Sequence, residues 1–596
     1  MVLLGSSKVC NREDLLNVFL GKAQADTCVV GGKLVNVNSG EIYGADIAIY
    51  KGRIVSVGRI DDVTGKYTKT IDAEGKYLTP GLIDTHLHFY HSYLNMTEFA
   101  KAMLAQGVTV TADGFYGPAI VSGMRAVRAL REEVLNTPLK MIFLVGVIAY
   151  SQNRILGLPP NPNGLSADDL KEILSWPDCI GLEEPQPLSV TDGEQAHIEI
   201  YKMALRLGKV ITGHAAALPS SQLRTYVALG TSTDHECEHT NEAIEKARLG
   251  LKILARQGTG WAANVSELVK AITEHKLDSR CFAFCTDGIP PDVLDFGGLP
   301  AAVRKAISQG LNPITAIQIA TLNAAELFRI DNEIGSIAPG KIADIVVVDD
   351  LPEFRISSVI ANGHVVFRDD RFVVDIQRPT YPEWMKNTVK LKRMILPQDL
   401  DIPVVGDKTE VDARVIFMPV GSIITTEKRV NLPVTNGVIL PRINGDVIKI
   451  SMIDRFDREA IGNGFVEGLG LKEGAYGVTV NAVCQNIIVA GTNSDDMSRV
   501  ANRLAEVGGG MVVVSDGRIR SEVRLPLYGL LSDEALNIFT AKTKLLYKTL
   551  KEMGWKHESI DTLDWIGAAG DTPFLRISAY GLLDVPKRKI VNVVYD

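Results

Sequence analysis

From Leu82 to about Ile330 the chain alternates short apolar runs with amphipathic helical stretches, and this alternation restricts the fold more than any other feature. The apolar runs read VTVTADG, MIFLVGVIAY, CIGLEE, KVITGHA, TSTDHE and FAFCTDG. Between them lie stretches such as TEFAKAMLAQG, IVSGMRAVRALREEVL and DGEQAHIEIYKMALRLG. Parallel strands need a crossover of a dozen or more residues, which a helix supplies, so the alternation predicts a parallel sheet covered by helices. A length of roughly 250 residues suits its closure into a (β/α)8 barrel.

The flanks differ in character. Residues 27–80 hold Val- and Ile-rich runs broken by glycine, as in CVVGGKLVNVNSGEIYGADIAIYKGRIVSVG, and ADIVVVDD with ISSVIANGHVVFRDDRFV repeats that pattern after Gly340. Both predict strands joined by tight turns. The expected class is α/β: a TIM-like (β/α)8 barrel over 81–335, with a small β-sandwich formed from two flanking segments, 27–80 and 336–375. An N-terminal helical segment (1–26, amphipathic from Arg12 to Lys22), a Pro-containing linker (376–400) and a C-terminal α/β domain (401–596) complete the expectation.

Composition narrows the function. Lys+Arg number 63 against 71 Asp+Glu, a net charge of −8, which argues against a nucleic-acid polymer as partner. No run reaches the ~18 uninterrupted apolar residues of a membrane helix, and the N-terminus lacks the basic and apolar regions of a signal peptide. The seven cysteines are odd in number and scattered, so a reducing cytoplasm is expected rather than a disulfide framework. Cys281 and Cys285 lack a second Cys/His pair nearby and read as buried thiols on a strand.

The informative residues sit in PGLIDTHLH. In extended chain, positions i and i+2 face the same way, so His86 and His88 aim at one point. A lone H-x-H is weak. Here Glu184 ends CIGLEE, His214 ends KVITGH, His235 ends TSTDH and Asp287 ends FAFCTD, each at the carboxyl end of an expected barrel strand, where barrel active sites are built. Four imidazoles and two carboxylates are nitrogen and oxygen ligands suited to divalent metals. Six are too many for one catalytic ion with an open position, and they suit two.

These motifs resemble the amidohydrolase superfamily and, within it, the adenine deaminase family. The superfamily features are PGLIDTHLH, the later strand-end histidines, Asp287, ATLNAAELF (320–328) and IGSIAPGKIADIVVVD (334–349). Family features are GLEE (181–184), similar to a GLGE motif with a bridging glutamate, together with TDHEC (233–237), NIIVAGTNSDDM (486–497), GGGMVVVSDG (508–517) and LPLYGLLSD (525–533). The resemblance covers almost the whole chain. It implies one metal on His86, His88, Glu184 and Asp287 and another on Glu184, His214 and His235, both Mn or Fe, with Zn an alternative. It further implies a metal-bridging hydroxide that attacks a ring carbon of a nitrogen heterocycle, with Asp287 as proton shuttle, and a homodimer or higher homo-oligomer.

Several substrate-side motifs of that family read differently here. An acidic I-E-S-S is replaced by Phe89, Tyr90, His91 and Ser92, and P-H-E by Asp113, Gly114, Phe115 and Tyr116. Tyr90, Phe115 and Tyr116 are either an aromatic wall for a flat ring or ordinary packing. His91 either contacts substrate or caps the next helix, and Glu236 either contacts substrate or, with Cys237, supports His235. Gln152 and Arg154 in YSQNR fall near the barrel mouth, where Arg154 either clamps a substrate carboxylate or pairs with a surface acid. The leading expectation is hydrolytic deamination of an aminopurine-like base. The alternatives are hydrolysis of a carboxylate-bearing cyclic amide, such as a hydantoin-, thiohydantoin- or lactam-like ring, and a non-catalytic binding or assembly relative.

Overall fold

The computed structural model describes residues 3–6, 9–191, 193–216, 218–258, 263–289, 297–420, 424–567 and 575–595. Its centre is a barrel whose eight described strands are β1 (Leu82–Asp84), β2 (Val108–Asp113), β3 (Lys140–Gly146), β4 (Cys179–Glu183), β5 (Val210–Ile211), β6 (Thr233–Asp234), β7 (Lys252–Arg256) and β8 (Phe282–Cys285). They pair in parallel in chain order, β1 to β5 in one ladder and β6 to β8 in another. The ladders join through Ser232 N donating to the Ile211 carbonyl (2.9 Å). On the other side the circle closes past the strand ends, where Asp287 N donates to His86 O and His88 N donates to Asp287 O, both at 2.9 Å. Metal-ligand candidates from the first and last strands thus lie on the closing seam.

The strands read as continuous apolar runs because both faces are covered. Inward-facing Ile83, Val110, Ala112, Ile142, Leu144, Ile180, Leu254, Ala283 and Cys285 fill the barrel, all at most 1% exposed. Cys285 is buried there as a free thiol, while Cys281 is half-buried.

The two flanking segments combine as expected. Tyr77–Pro80 lies antiparallel to Ile345–Val348 (Thr79 opposite Val346) and parallel to Lys33–Asn36, at the centre of a seven-stranded sheet. A four-stranded sheet carrying Thr27–Val30 faces it across Val29, Leu34, Ile47, Leu78 and Ile345. The helical stretch expected to reach Lys22 stops at Phe19, because Leu20 leaves helical geometry and Gly21 turns the chain at φ 68°. Residues 376–400 are not a loose tether: Arg378 pairs with Glu98 (2.9 Å) and the Arg125 guanidinium stacks on Trp384 (4.0 Å).

Beyond residue 401, nine described strands form one largely antiparallel sheet with helix Ser494–Glu506 against it. This half covers the carboxyl face of the barrel. Tyr93 donates to Asp564 Oδ2 (2.7 Å), Asn95 Nδ2 to the Ser532 carbonyl (3.0 Å) and Asn161 Nδ2 to the Cys484 carbonyl (2.7 Å). Bonds of this kind keep buried polar groups satisfied at the contact and fix the lid over the site.

Candidate metal centre

Each candidate ligand lies one to four residues past a strand end, in the loops on the carboxyl face. Glu184 follows β4 with φ +43° and Asp287 follows β8 with φ +64°. Both are left-handed conformations that non-glycine residues adopt at a cost of about 1–3 kcal/mol, and such strain concentrates at functional sites. At Glu184 the twist turns the carboxylate toward the histidines instead of letting it continue the alternation that sends Glu183 into the barrel.

Glu184 Oε1 is the common point. It lies 2.6 Å from His86 Nε2, 3.1 Å from His88 Nε2 and 3.3 Å from His235 Nε2. Asp287 Oδ1 is 3.3 Å from His86 Nε2 and 3.6 Å from His88 Nε2. Ligand atoms of His86, Glu184, His235 and Asp287 all fall within 4.8 Å of one another, and His214, His235 and Glu236 make a second such group that shares His235. His86 and His235 stack at 3.9 Å between ring centroids. Nε2 of His86 is buried and faces a carboxylate oxygen at 2.6 Å without a hydrogen bond of good geometry. That arrangement, and the donor set itself, fit divalent metal ions.

Charge follows from burial against pairing. Burial pushes Glu184 and Asp287 up, but the histidines beside both, and Arg256 beside Asp287, outweigh it and hold both carboxyls well below the usual range. Burial works against a charged His86, and Glu184 and Asp287 overcome it, raising His86 well above its ordinary value. Both carboxylates are therefore ionised and ready to ligate.

Sequence reasoning missed the residues that hold this cluster. The Arg256 guanidinium, at the end of β7, sits 2.8 Å from Glu236 Oε1 and 3.0 Å from Asp287 Oδ2. Its signal was present: a cation closing the apolar run ILA (253–255). Glu183 points into the barrel, accepts from Gly114 N (3.1 Å) and lies 3.8 Å from His88 Nδ1. Burial, with Asp113 and Glu184 nearby, pushes its carboxyl well above the usual range. Asp113 accepts from Phe89 N and Phe115 N, both at 2.8 Å, and so clasps the loop that carries His88.

Above the candidate ligands lies a small cleft. Its barrel side includes Tyr116, Ile148, Gln186 and Glu236, and its roof includes Ala482, Val483, Trp565 and Arg576 from the C-terminal half. Of the residues expected at substrate, Tyr116 and Glu236 line the cleft. Tyr90 stands behind Tyr116, their hydroxyls 3.0 Å apart. His91 stacks on Trp565 (4.6 Å, 15° between planes) with Nδ1 3.7 Å from Asp564, and Asn95, not His91, caps the following helix. Phe115 packs on Phe89 and Phe143. Gln152 and Arg154 do not line the cleft: the chain after β3 coils through Ile148–Ser151 and Gln152–Leu156, which turns Arg154 to solvent over the Tyr150 ring (5.0 Å) and Gln152 onto the Ala149 carbonyl.

The amidohydrolase family model matches residues 77–366, and the adenine deaminase C-terminal domain matches 422–589. The chain is 34% identical to an adenine deaminase of Moorella thermoacetica over 585 residues, 98% of each chain. It is 37% identical to adenine deaminase 3 of Rhizobium meliloti over 589 residues, 97% of this chain and 98% of that one. A solved β-aspartyl dipeptidase from Fervidobacterium islandicum AW-1 aligns at TM-score 0.45 and 19% identity, covering 60% of this chain and all of that one. With relatives this similar from end to end, the chain belongs to the adenine deaminase family of amidohydrolases.

Proposed function

We propose that the protein hydrolyses the exocyclic C–N bond of an aminopurine-like base, releasing ammonia, with two divalent ions, Mn or Fe, held by His86, His88, Glu184, His214, His235 and Asp287. The observation that carries this reading is the convergence of three imidazoles on Glu184 Oε1 beneath a cleft lined by Tyr116, Trp565 and Arg576. Divalent ions bound there supply Lewis acidity, which lowers the pKa of water from 15.7 toward ~7.

The chain's own groups handle the protons. Arg256 holds Asp287 Oδ2, so Oδ1 is the oxygen turned toward the imidazoles. Oδ1 accepts a proton from the attacking water and returns it to the amino nitrogen. The second proton of the water ends on the ring nitrogen of the former C=N bond, so departure of NH3 leaves a ring carbonyl beside an N–H, and atoms balance. The roof residues exclude bulk water, which strengthens each of these interactions.

The carboxylated cyclic amide rested on Arg154, and Arg154 lies outside the cleft. No helix among the described residues is long and apolar enough to cross a membrane. The free thiols support a cytoplasmic location, and family membership supports a homo-oligomer.

The test is ammonia release from a panel of aminopurines by protein reloaded with Mn, Fe or Zn. Asp287→Asn should lower kcat about 10²–10⁴-fold while leaving the circular dichroism spectrum unchanged. Undiminished turnover in that variant would refute the proton-carrier role.

A further inference from the structure

The barrel sheet is interrupted at two places, and each break carries candidate ligands. Between β8 and β1 the ligands' own backbones close the gap, through Asp287 N to His86 O and His88 N to Asp287 O. Between β5 and β6, which hold two residues each, no strand ladder runs among the described residues. His214 lies three residues past β5 and His235 one past β6, so the two imidazoles proposed for the second ion hang from this break.

Past the bond from Ser232 N to the Ile211 carbonyl, side chains take over from the backbone ladder. Thr233 Oγ1 accepts from Gly213 N (3.0 Å) and Asp234 Oδ1 accepts from Ala215 N (2.7 Å), which brackets His214 on both sides. Lys246, on the helix Thr240–Arg248, completes the crossing. Its Nζ donates to the Ala215 carbonyl (2.9 Å), to Asp234 Oδ2 (2.8 Å) and to Glu242 Oε1 (2.6 Å). An ammonium has three protons, and here each finds an acceptor although the residue is only 2% exposed. Ala215 is thereby held through both its N–H and its C=O. Asp234, which supplies one of those contacts, immediately precedes His235. One cation thus fixes the backbone beside both imidazoles.

A buried ion pair is seldom the most stabilising way to fill such a space, because apolar side chains of similar volume often do as well or better. What this pair supplies is position, and residues that support metal ligands change metal affinity by about 10–100-fold. We propose that Lys246 is a positioning residue that, through Asp234 and Ala215, presets His214 and His235 for the second divalent ion. The first ion, on His86, His88, Glu184 and Asp287, binds without it. This rests on the two-ion reading above and identifies the group that builds the second half of that site.

The test titrates chelator-treated full chain with Mn(II), followed by calorimetry and electron paramagnetic resonance. Wild type should take up two ions and give the signal of a spin-coupled pair. Lys246→Met should weaken the second ion about 10–100-fold and leave the first unchanged, so that the resonance of an isolated ion replaces that of the pair. Lys246→Arg, which keeps the charge and its donors, should restore most of the second site. Equal weakening of both ions, or two ions held as tightly as in wild type, overturns the inference and leaves the two-ion reading standing. A wild-type chain that never holds two ions overturns both. Should Lys246→Met not fold, Asp234→Asn probes the same contact, since its amide oxygen still accepts from Ala215 N while the ammonium loses a carboxylate. Selective loss of the second ion supports the inference there, and equal loss of both overturns it. Hydrogen exchange on metal-free wild type needs no variant: the Ala215 amide should be protected like the amides of β4, and exchange as fast as in an exposed loop overturns the inference.

Discussion

Arg256→Met probes the electrostatic frame of the centre without touching a ligand. One guanidinium nitrogen lies 2.8 Å from Glu236 and 3.0 Å from Asp287, and the three side chains are at most 5% exposed. Methionine keeps the apolar stem and removes the charge. Removing one partner of a buried pair costs about 3–5 kcal/mol, because the other charge is left uncompensated. Imidazoles beside both carboxylates absorb part of this loss, so the lower end, about 3 kcal/mol, is expected in metal-free protein. At roughly 2–4 °C per kcal/mol for a unit of this size, Tm should fall by about 6–12 °C at pH 7.

The pH dependence has a definite sign. Burial raises Glu236, but Arg256, His214 and His235 overcome it and hold the carboxyl at about 2. A depressed carboxylate contributes stability that is present above its unfolded value, about 4.3, and lost as pH falls toward 2. The gap between wild type and Arg256→Met should therefore be widest above about pH 5 and narrow in acid. Calorimetric melts of chelator-treated protein measure it, and Arg256→Met/Glu236→Gln should recover part of the loss by removing one stranded charge. Equal melting temperatures at pH 7, or a gap that widens on acidification, would refute the reasoning.

Two further predictions address the shell around the site. Gly114 faces Glu183, and a Cβ there would lie 2.6 Å from the Gly146 nitrogen, so Gly114→Ala should destabilise by about 1–3 kcal/mol. Adding Glu183→Ala should restore part of that in denaturant melts, since the Glu183 carboxyl fills the same space. Glu133, half-buried against Tyr381, is pushed up by burial to about 7. A raised carboxyl contributes stability that is full below its unfolded value and lost as pH rises through 7, so wild-type Tm should decline between pH 5 and 8. Glu133→Gln should flatten that decline; an identical slope in the variant would contradict the assignment.

The barrel and the cluster of candidate ligands at its carboxyl face were legible because their signals are local. Alternating apolar runs and helical stretches define a parallel barrel, and a titratable residue at the end of an apolar run marks its carboxyl face. The strand ends were read slightly long: β1 stops at Asp84, and His86 and His88 converge from the extended chain beyond it. Arg154 was misleading because a position near the barrel mouth does not fix a side-chain direction, and two short helical turns after β3 carry it outward. Trp565 and Arg576 were invisible for a different reason. They come from the far end of the chain, and only the docking of the C-terminal half onto the barrel brings them to the cleft. Glu183 was masked by its neighbour: the strand's alternation sends it into the barrel, while the left-handed turn at Glu184 delivers the next carboxylate to the histidines.

The most direct test of the account is the metal content of the purified chain, measured by plasma mass spectrometry alongside ammonia release during stepwise chelation and reloading. The account predicts two divalent ions per chain, activity that disappears and returns with them, and loss of both ions and activity in Glu184→Gln. Full ammonia release from metal-free protein, or a Glu184→Gln variant that keeps both ions and wild-type turnover, would contradict it.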